Sequence, residues 1–463
     1  MVLDSEKKVL PMRTRNRSML EGPLFGNILI YTIPVILTNV LQLLFNAADL
    51  VIVGQYCGSL PVAAVGATTH LTHLLVNFFV GLSVGAGVAV AHGIGSQQPQ
   101  EVHRTVHTAL PMALISGAFL TVLGVTCSET FLKMMGTPEA VLPLAAVYMK
   151  ICFGGVTFTT VYNFCAAILR AAGDTKSPLI FLIFAGALNV LMNLFFVIVL
   201  NMNVAGVALA TTLSQGVSAA LVTIALMRRK DACRLMLRDM RIYAEPFKKI
   251  IRIGLPAGTQ NAMFSISNVL VQSSVNSFGD VFVSGNAASS NIEGFMYAVL
   301  NSFQQAAVNF IGQNAGAHRY DRVRRIFWIC LGSVMVTGLA VSGLICGFGR
   351  QLLSLYITDS AEAVAHGLFR LYAVASLYFL FGMMDVVAGA LRGLGASTVP
   401  MVICMLGACV FRVLWIVVVF PVWHTPQGLF TCYPISWIIT LAAQLTAYFI
   451  IYRKHTKNIK VGE

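Results

Sequence analysis

Leu169-Arg170-Ala171-Ala172-Gly173-Asp174-Thr175-Lys176-Ser177-Pro178 has a counterpart further along the chain, Leu391-Arg392-Gly393-Leu394-Gly395-Ala396-Ser397-Thr398-Val399-Pro400. The two Arg residues stand 392 − 170 = 222 positions apart. The same offset carries Pro34 to Pro256, Asn39 to Asn261 and Asn46 to Asn268. It is about half of the 463 residues, so the chain reads as a duplicated unit.

The composition says what each unit is made of. Hydrophobic residues are 57% of the chain, charged residues only 11%, and mean hydropathy is +0.78. Soluble domains carry about 25% charged residues. So apolar a chain cannot cover itself with polar surface, and lipid must be part of its solvent. Apolar runs fall near 26–53, 62–91, 106–127, 139–168, 178–200, 204–227, 248–277, 281–312, 326–348, 362–391, 399–421 and 429–452. Each is long enough to cross the roughly 30 Å apolar core of a bilayer. The fold expected is an all-α polytopic membrane protein: twelve transmembrane helices in two six-helix lobes. An even number of spans per repeat gives both lobes one orientation, related by a pseudo-two-fold axis along the membrane normal, with a site between them. The divisions are an N-terminal arm (1–23), a first lobe (24–228), a linker (229–247), a second lobe (248–452) and a tail (453–463).

Net charge is +13. Of the 31 Lys and Arg residues, 26 fall in the two termini and in alternate connecting segments, nine of them between 228 and 252. That bias sets topology, with both termini and the linker cytoplasmic and the protein in the cell membrane. It makes a nucleic-acid partner an unneeded explanation. The ten cysteines include no C-x-x-C pair and read as packing residues. No Walker, H-E-x-x-H or G-x-S-x-G motif occurs, so the chain reads as neither an ATP-driven pump nor a common hydrolase, and no cofactor is implied. His70 and His73 read as packing residues. So do His103 and His107, one turn apart but without an evident third ligand. Gly81, Gly85 and Gly87 permit close helix contact.

Polar residues then mark faces that cannot meet lipid. Asn39, Gln42, Asn46 and Asp49 recur at spacings of three and four along the first span; Asn261, Ser265, Asn268 and Gln272 do so on the seventh. Glu293, Tyr297, Asn301 and Gln305 recur every fourth residue of the eighth span; Asn189 and Asn193 are one turn apart on the fifth. A single such amide is explained by interhelical hydrogen bonding. Stripes matched in both halves point instead to a wet cavity, which Asn163 also joins. Asp49, Glu293 and Asp385 are acids within spans, each costing roughly 2.5–3.5 kcal/mol at a helix centre. They must be paired, hydrated or protonated. Desolvation favours the neutral form of a carboxyl, which suits a proton-binding group, and its oxygens equally suit Na⁺. The structural alternative is an ion pair, with Arg412 as the available deep cation. By the offset, Asp49 aligns with Val271, Glu293 with Leu71 and Asp385 with Asn163. The acids are therefore where the halves differ.

At these residues the sequence resembles the multidrug and toxic compound extrusion (MATE) family, in its bacterial NorM/DinF-like branch. The resemblance spans roughly 24 to 452. It rests on NAADLVIVG at 46–54, VAGVALAT at 204–211, IGQNAGA at 311–317, NIEGF at 291–295, YPISW at 433–437 and the two LR…G…P segments. It implies a monomeric antiporter that exports small organic, often cationic, compounds in exchange for H⁺ or Na⁺. Asp49, Asn189 and Thr211 match the family's polar positions on helices 1, 5 and 6. Asn193 stands where many members carry Asp, so that part of the ion site is neutral here. Asp385 falls on helix 10, where members with a second-lobe site carry an acid, and Glu293 is a feature of the branch. The resemblance thus implies cation coupling at Asp49, Asn189, Asn193, Thr211, Glu293 and Asp385. The other reading is a flippase for a lipid-linked precursor on a related scaffold. Its cavity would be strongly cationic to hold a pyrophosphate. The mid-span charges here are mostly acidic, which favours the exporter.

Overall fold

A computed structural model describes residues 19–357 and 360–460, and among these every regular element is a helix. The first half runs α1 (Leu24–Tyr56), α2 (Ser59–Gly95), α3 (Pro99–Met134), α4 (Leu142–Gly154), α5 (Val156–Ala171), α6 (Lys176–Leu194) and α7 (Asn203–Met227). The second runs α8 (Ala244–Asn276), α9 (Asp280–Gly316), α10 (Tyr320–Gly347), the short α11 (Gly349–Ser354), α12 (Ala361–Val374), α13 (Tyr378–Gly393), α14 (Thr398–Cys404), α15 (Phe411–Leu414), α16 (Pro426–Phe430) and α17 (Cys432–Lys460).

These pieces make twelve rods. α4 and α5 form one span bent by 43° at Gly155. There the chain lies so close to Thr212 that a Cβ would overlap its side chain. α6 continues through a π-helical turn at Phe195–Val199, and the eleventh span carries two, at Met405–Val410 and Trp415–Val419. The 222 offset places the first of these turns over the last. Among the described residues nine helices pass as membrane spans on apolarity alone, and the bent pair makes ten. The other two are α8 and α9, 33 and 37 residues long. They are the helices that carry the polar stripes of the second half. Their length suffices to span; of the polar residues that lower their hydropathy, Asn261 and Asn309 bond across the lobes, while Gln272, Asn286 and Glu293 bond within the second.

Each lobe has its own core. In the first, Val90, Val106, Phe164, Ile168 and Val222 are buried together; in the second, Phe303, Phe327, Val387, Leu391 and Trp437. The first helix of each half crosses over. Ile28, Tyr31 and Val35 of α1 are buried in the second lobe's core, whereas Ile52 and Val53 pack in the first lobe. Ile250 of α8 is buried in the first lobe, whereas Val271 and Val275 are in the second.

The end of the molecule carrying the basic loops is where the lobes are tightest. A Cβ at Gly81 would overlap Gly258, and one at Gly85 would overlap the Ile250 carbonyl, so these glycines permit α2 to touch α8 backbone to backbone. Gly87 rests on Ala167 within the first lobe. The hydrogen bonds seen between lobes run from the middle of the helices to this end. They include Asn309 Nδ2 to Tyr31 Oη at 2.8 Å and Lys249 Nζ to Glu101 Oε1 at 2.7 Å.

The linker is held on the first lobe, with Ala232, Cys233 and Leu235 buried in its core. The backbone N–H groups of Met236 and Tyr243 donate to His107 Nε2 (2.9 Å) and Thr108 Oγ1 (3.1 Å). It is shorter than expected, because α8 already begins at Ala244. Its first turn, Ala-Glu-Pro-Phe, is helical but too polar to register as span. Asp239 approaches His103 at 3.5 Å, supplying the third group that the sequence did not reveal beside His107. His107 still cannot ligate a metal, since Nε2 accepts from Met236 and Nδ1 lies 2.7 Å from the His103 carbonyl. The side chains of His70 and His73 lie outside the described residues, as do residues 1–18 of the arm and 461–463 of the tail.

Candidate functional site

Asp49 is 9% exposed near the far end of α1. Asn193 donates from Nδ2 to Asp49 Oδ1 at 2.5 Å, and Thr211 donates from Oγ1 to Oδ2 at 3.1 Å. The same Asn193 nitrogen lies 3.2 Å from Asn189 Oδ1, and Asn189 Nδ2 lies 3.4 Å from Thr211 Oγ1. Four expected residues from α1, α6 and α7 thus form one closed network. Asn189 and Asn193 meet there because they are one turn apart, just ahead of the π-helical turn. No basic side chain among the described residues pairs with Asp49. Asn193 Oδ1 is buried without a donor. An unbalanced carboxylate beside an unsatisfied acceptor oxygen is an environment short of positive charge.

The second lobe treats its acids differently. Glu293 receives two parallel hydrogen bonds from Arg370, Nε to Oε1 and an Nη to Oε2, both 2.8 Å. Arg370 also bonds Asn286 Oδ1 and lies over the rings of Phe430 and Tyr433 at 5.3 and 5.9 Å. Both partners are under 10% exposed. Among the three intramembrane acids expected to couple a cation, Glu293 is the one whose charge is balanced in this structure by a bidentate guanidinium. The pairing corrects the proposed partner, which is Arg370 and not Arg412. Arg412 donates from Nε to Ser436 Oγ at 3.1 Å and stands 4.4 Å from the Tyr433 ring centre. Arg370 lies inside the apolar run 362–391, but nothing in the sequence marks it as the partner of Glu293, 77 residues away.

Asp385 is less enclosed. Asn301 donates to its Oδ2 at 2.9 Å, and Gln305 donates to Asn301 Oδ1 at 3.0 Å. No basic group pairs with it among the described residues. Arg392, two turns along, bonds Gln260 Oε1 at 2.9 Å instead. Arg392 was expected in a connecting segment. It lies in the last turn of α13 and is 4% exposed, because the helix runs past the apolar stretch.

The remaining cavity residues divide. Asn39 crosses the lobes, donating to Ser302 Oγ at 3.0 Å and the Ala298 carbonyl at 3.2 Å; Asn261 crosses in the opposite sense to the Asn77 carbonyl at 3.3 Å. Asn46 and Asn268, repeat partners, are both exposed, as is Tyr297 at 45%. They lie beyond the mid-level bonds, so the space between lobes opens toward the far end. Gln42 and Asn163 are half-buried. Gln272 is drawn away into the second lobe, bonded to Asn276 and Asn286 at 3.0 and 3.1 Å.

Comparisons with known proteins agree with this architecture. The MatE family profile matches residues 34–195 and 256–418, and the two matches begin 256 − 34 = 222 residues apart. The chain is 25% identical over 461 residues to "Probable multidrug resistance protein YoeA" of Bacillus subtilis, covering 96% of this chain and 97% of that one. It is 27% identical over 392 residues to "Probable multidrug resistance protein YpnP" of the same organism, covering 85% and 87%. A solved "outward-facing conformation of a multidrug resistance MATE family transporter of the MOP superfamily" superposes with a TM-score of 0.89 at 21% identity, covering 96% of this chain and 99% of that one. With the profile matched in both repeats, the chain belongs to the MatE family, whose members are membrane transporters and not enzymes.

Proposed function

We propose that this protein is a multidrug exporter working by secondary antiport: organic cations leave in exchange for inward-moving H⁺ or Na⁺. The observation that carries this reading is Asp49, a buried acid with no cationic partner among the described residues, which accepts from the Asn193 amide and the Thr211 hydroxyl while Asn189 bridges those two. A proton or Na⁺ supplies the missing positive charge. Asp385, with Asn301 and Gln305, is a second, more open acid for a cation or a cationic drug. Relatives named as multidrug resistance proteins support the substrate class. The basic end faces the cytoplasm, by its Lys and Arg content. The lobes then stand closed inside and open outside. Antiport follows if ion and drug each favour a different facing state.

The test is transport of ethidium in proteoliposomes, with a pH gradient and a Na⁺ gradient imposed separately. One gradient should drive exchange, and Asp49→Asn should abolish it while the protein still inserts. Unchanged exchange in that variant would remove Asp49 from the mechanism.

A further inference from the structure

α5 and α13 end in the same way. Gly173 N–H returns to the Arg170 carbonyl at 3.0 Å and Asp174 N–H to Leu169 at 2.9 Å; Gly395 returns to Arg392 at 2.8 Å and Ala396 to Leu391 at 2.9 Å. Gly173 and Gly395, at φ 86° and 84°, make this turn possible. Each helix end then has a carbonyl left over, as helix C-termini do. They are those of Ala171 and Gly393, 222 residues apart, and no backbone N–H among the described residues bonds to either. Each finds its donor in the opposite lobe. Gln313 of α9 donates from Nε2 to the Ala171 carbonyl at 2.7 Å, and His92 Nε2 of α2 lies 2.7 Å from the Gly393 carbonyl. A carbonyl only accepts, so His92 supplies the hydrogen in any charge state.

We infer that His92 and Gln313 are the reciprocal gate residues of the transport cycle, each lobe capping a helix end of the other and so holding the basic end shut. The inference rests on the alternating-access reading above. It is supported by the crossing of the two donor helices. A Cβ at Gly95 would overlap the Gln313 carbonyl, and one at Gly316 the His92 carbonyl, so α2 and α9 touch where the donors depart. The lobes cannot part at this end without breaking both bonds. Beside them is a cavity of about 280 Å³ lined by His92, Glu101, Lys249, His318 and His455, from which water can reach the released carbonyls. What the His92 position requires is a donor, not a titrating group. Glutamine, the residue used on the other side, should serve.

Hydrogen exchange by mass spectrometry on the full chain in lipid nanodiscs, without drug or ion gradient, tests this. In His92→Phe/Gln313→Met, amides of residues 89–96 and 310–317 should exchange on the order of tenfold faster, from two net hydrogen bonds. Loops at the far end should be unchanged. His92→Gln should exchange like the wild type. Should the double variant not fold, Gln313→Met alone should show the same pattern at about threefold. Wild-type exchange in the folded donor-less variants overturns the inference, as does a His92→Gln protein that opens as readily as His92→Phe. Because neither ion nor drug is present, the result stands whether or not Asp49 couples an ion.

Discussion

At the level where the first lobe gathers Asp49, Asn189, Asn193 and Thr211, the 222-residue offset puts Val271, Phe411, Trp415 and Tyr433 in the second. The helices are equivalent, and a π-helical turn follows in both. The chemistry is not. One lobe holds an acid without a counter-charge among the described residues, and the buried acceptor oxygen of Asn193. The other holds rings, with Arg412 against Tyr433 and the indole N–H of Trp437 buried without an acceptor. The exposed stripe Val402, Leu406, Val410 and Leu414 marks the lipid side of the eleventh span, so Arg412 turns inward. The difference teaches that a repeat fixes where side chains point, while the charge each lobe carries is set position by position. The second lobe's Glu293 does not restore symmetry, because Arg370 neutralises it.

The comparison breaks most readily at the acids. Asp49→Asn should remove ion-driven exchange altogether, whereas Asp385→Asn, at a more open site, should slow it several-fold. Equal losses in proteoliposome assays would end the distinction between lobes. Next in size is stability. Arg370→Met leaves Glu293 charged and unpaired in the interior, which should cost about 3–5 kcal/mol in a denaturation curve in detergent. Arg370→Met/Glu293→Gln should lose less than Arg370→Met alone, since no uncompensated charge remains. Arg412→Met sharpens the point. It strands no carboxylate and removes a ring contact worth about 2 kcal/mol, so its loss should stay below that of Arg370→Met. The smallest effect concerns the mid-level crossings. Asn39→Ala removes two bonds between lobes and Asn261→Ala one longer bond, so the losses should be about 1 kcal/mol and less. A larger effect at Asn261 would reverse that ranking.

Much of the site was legible for a local reason. Asp49, Asn189 and Asn193 announced themselves by sitting inside apolar runs at helical spacing, and three and four residues along a helix is a contact the sequence encodes directly. That Thr211 belonged with them rested on the family resemblance. The pairing of Glu293 with Arg370 was not readable, because 77 residues separate them and a hydropathy trace ranks all intramembrane charges alike. The role of Gln313 was hidden in the same way: on its own helix it is one more buried amide.

By itself, then, the sequence determined the number of spans, the two parallel halves and the bias of basic charge to one end. Hydropathy, charge and repetition are properties of segments, and bilayer thickness turns segments into helices one at a time. Only the tertiary structure decided which acids have hydrogen-bond partners alone and which is neutralised by a guanidinium. It also decided which leftover carbonyls the opposite lobe must cap. Those outcomes depend on which side chains distant helices bring within about 3 Å of each other, a distance at which a hydrogen bond is either made or absent.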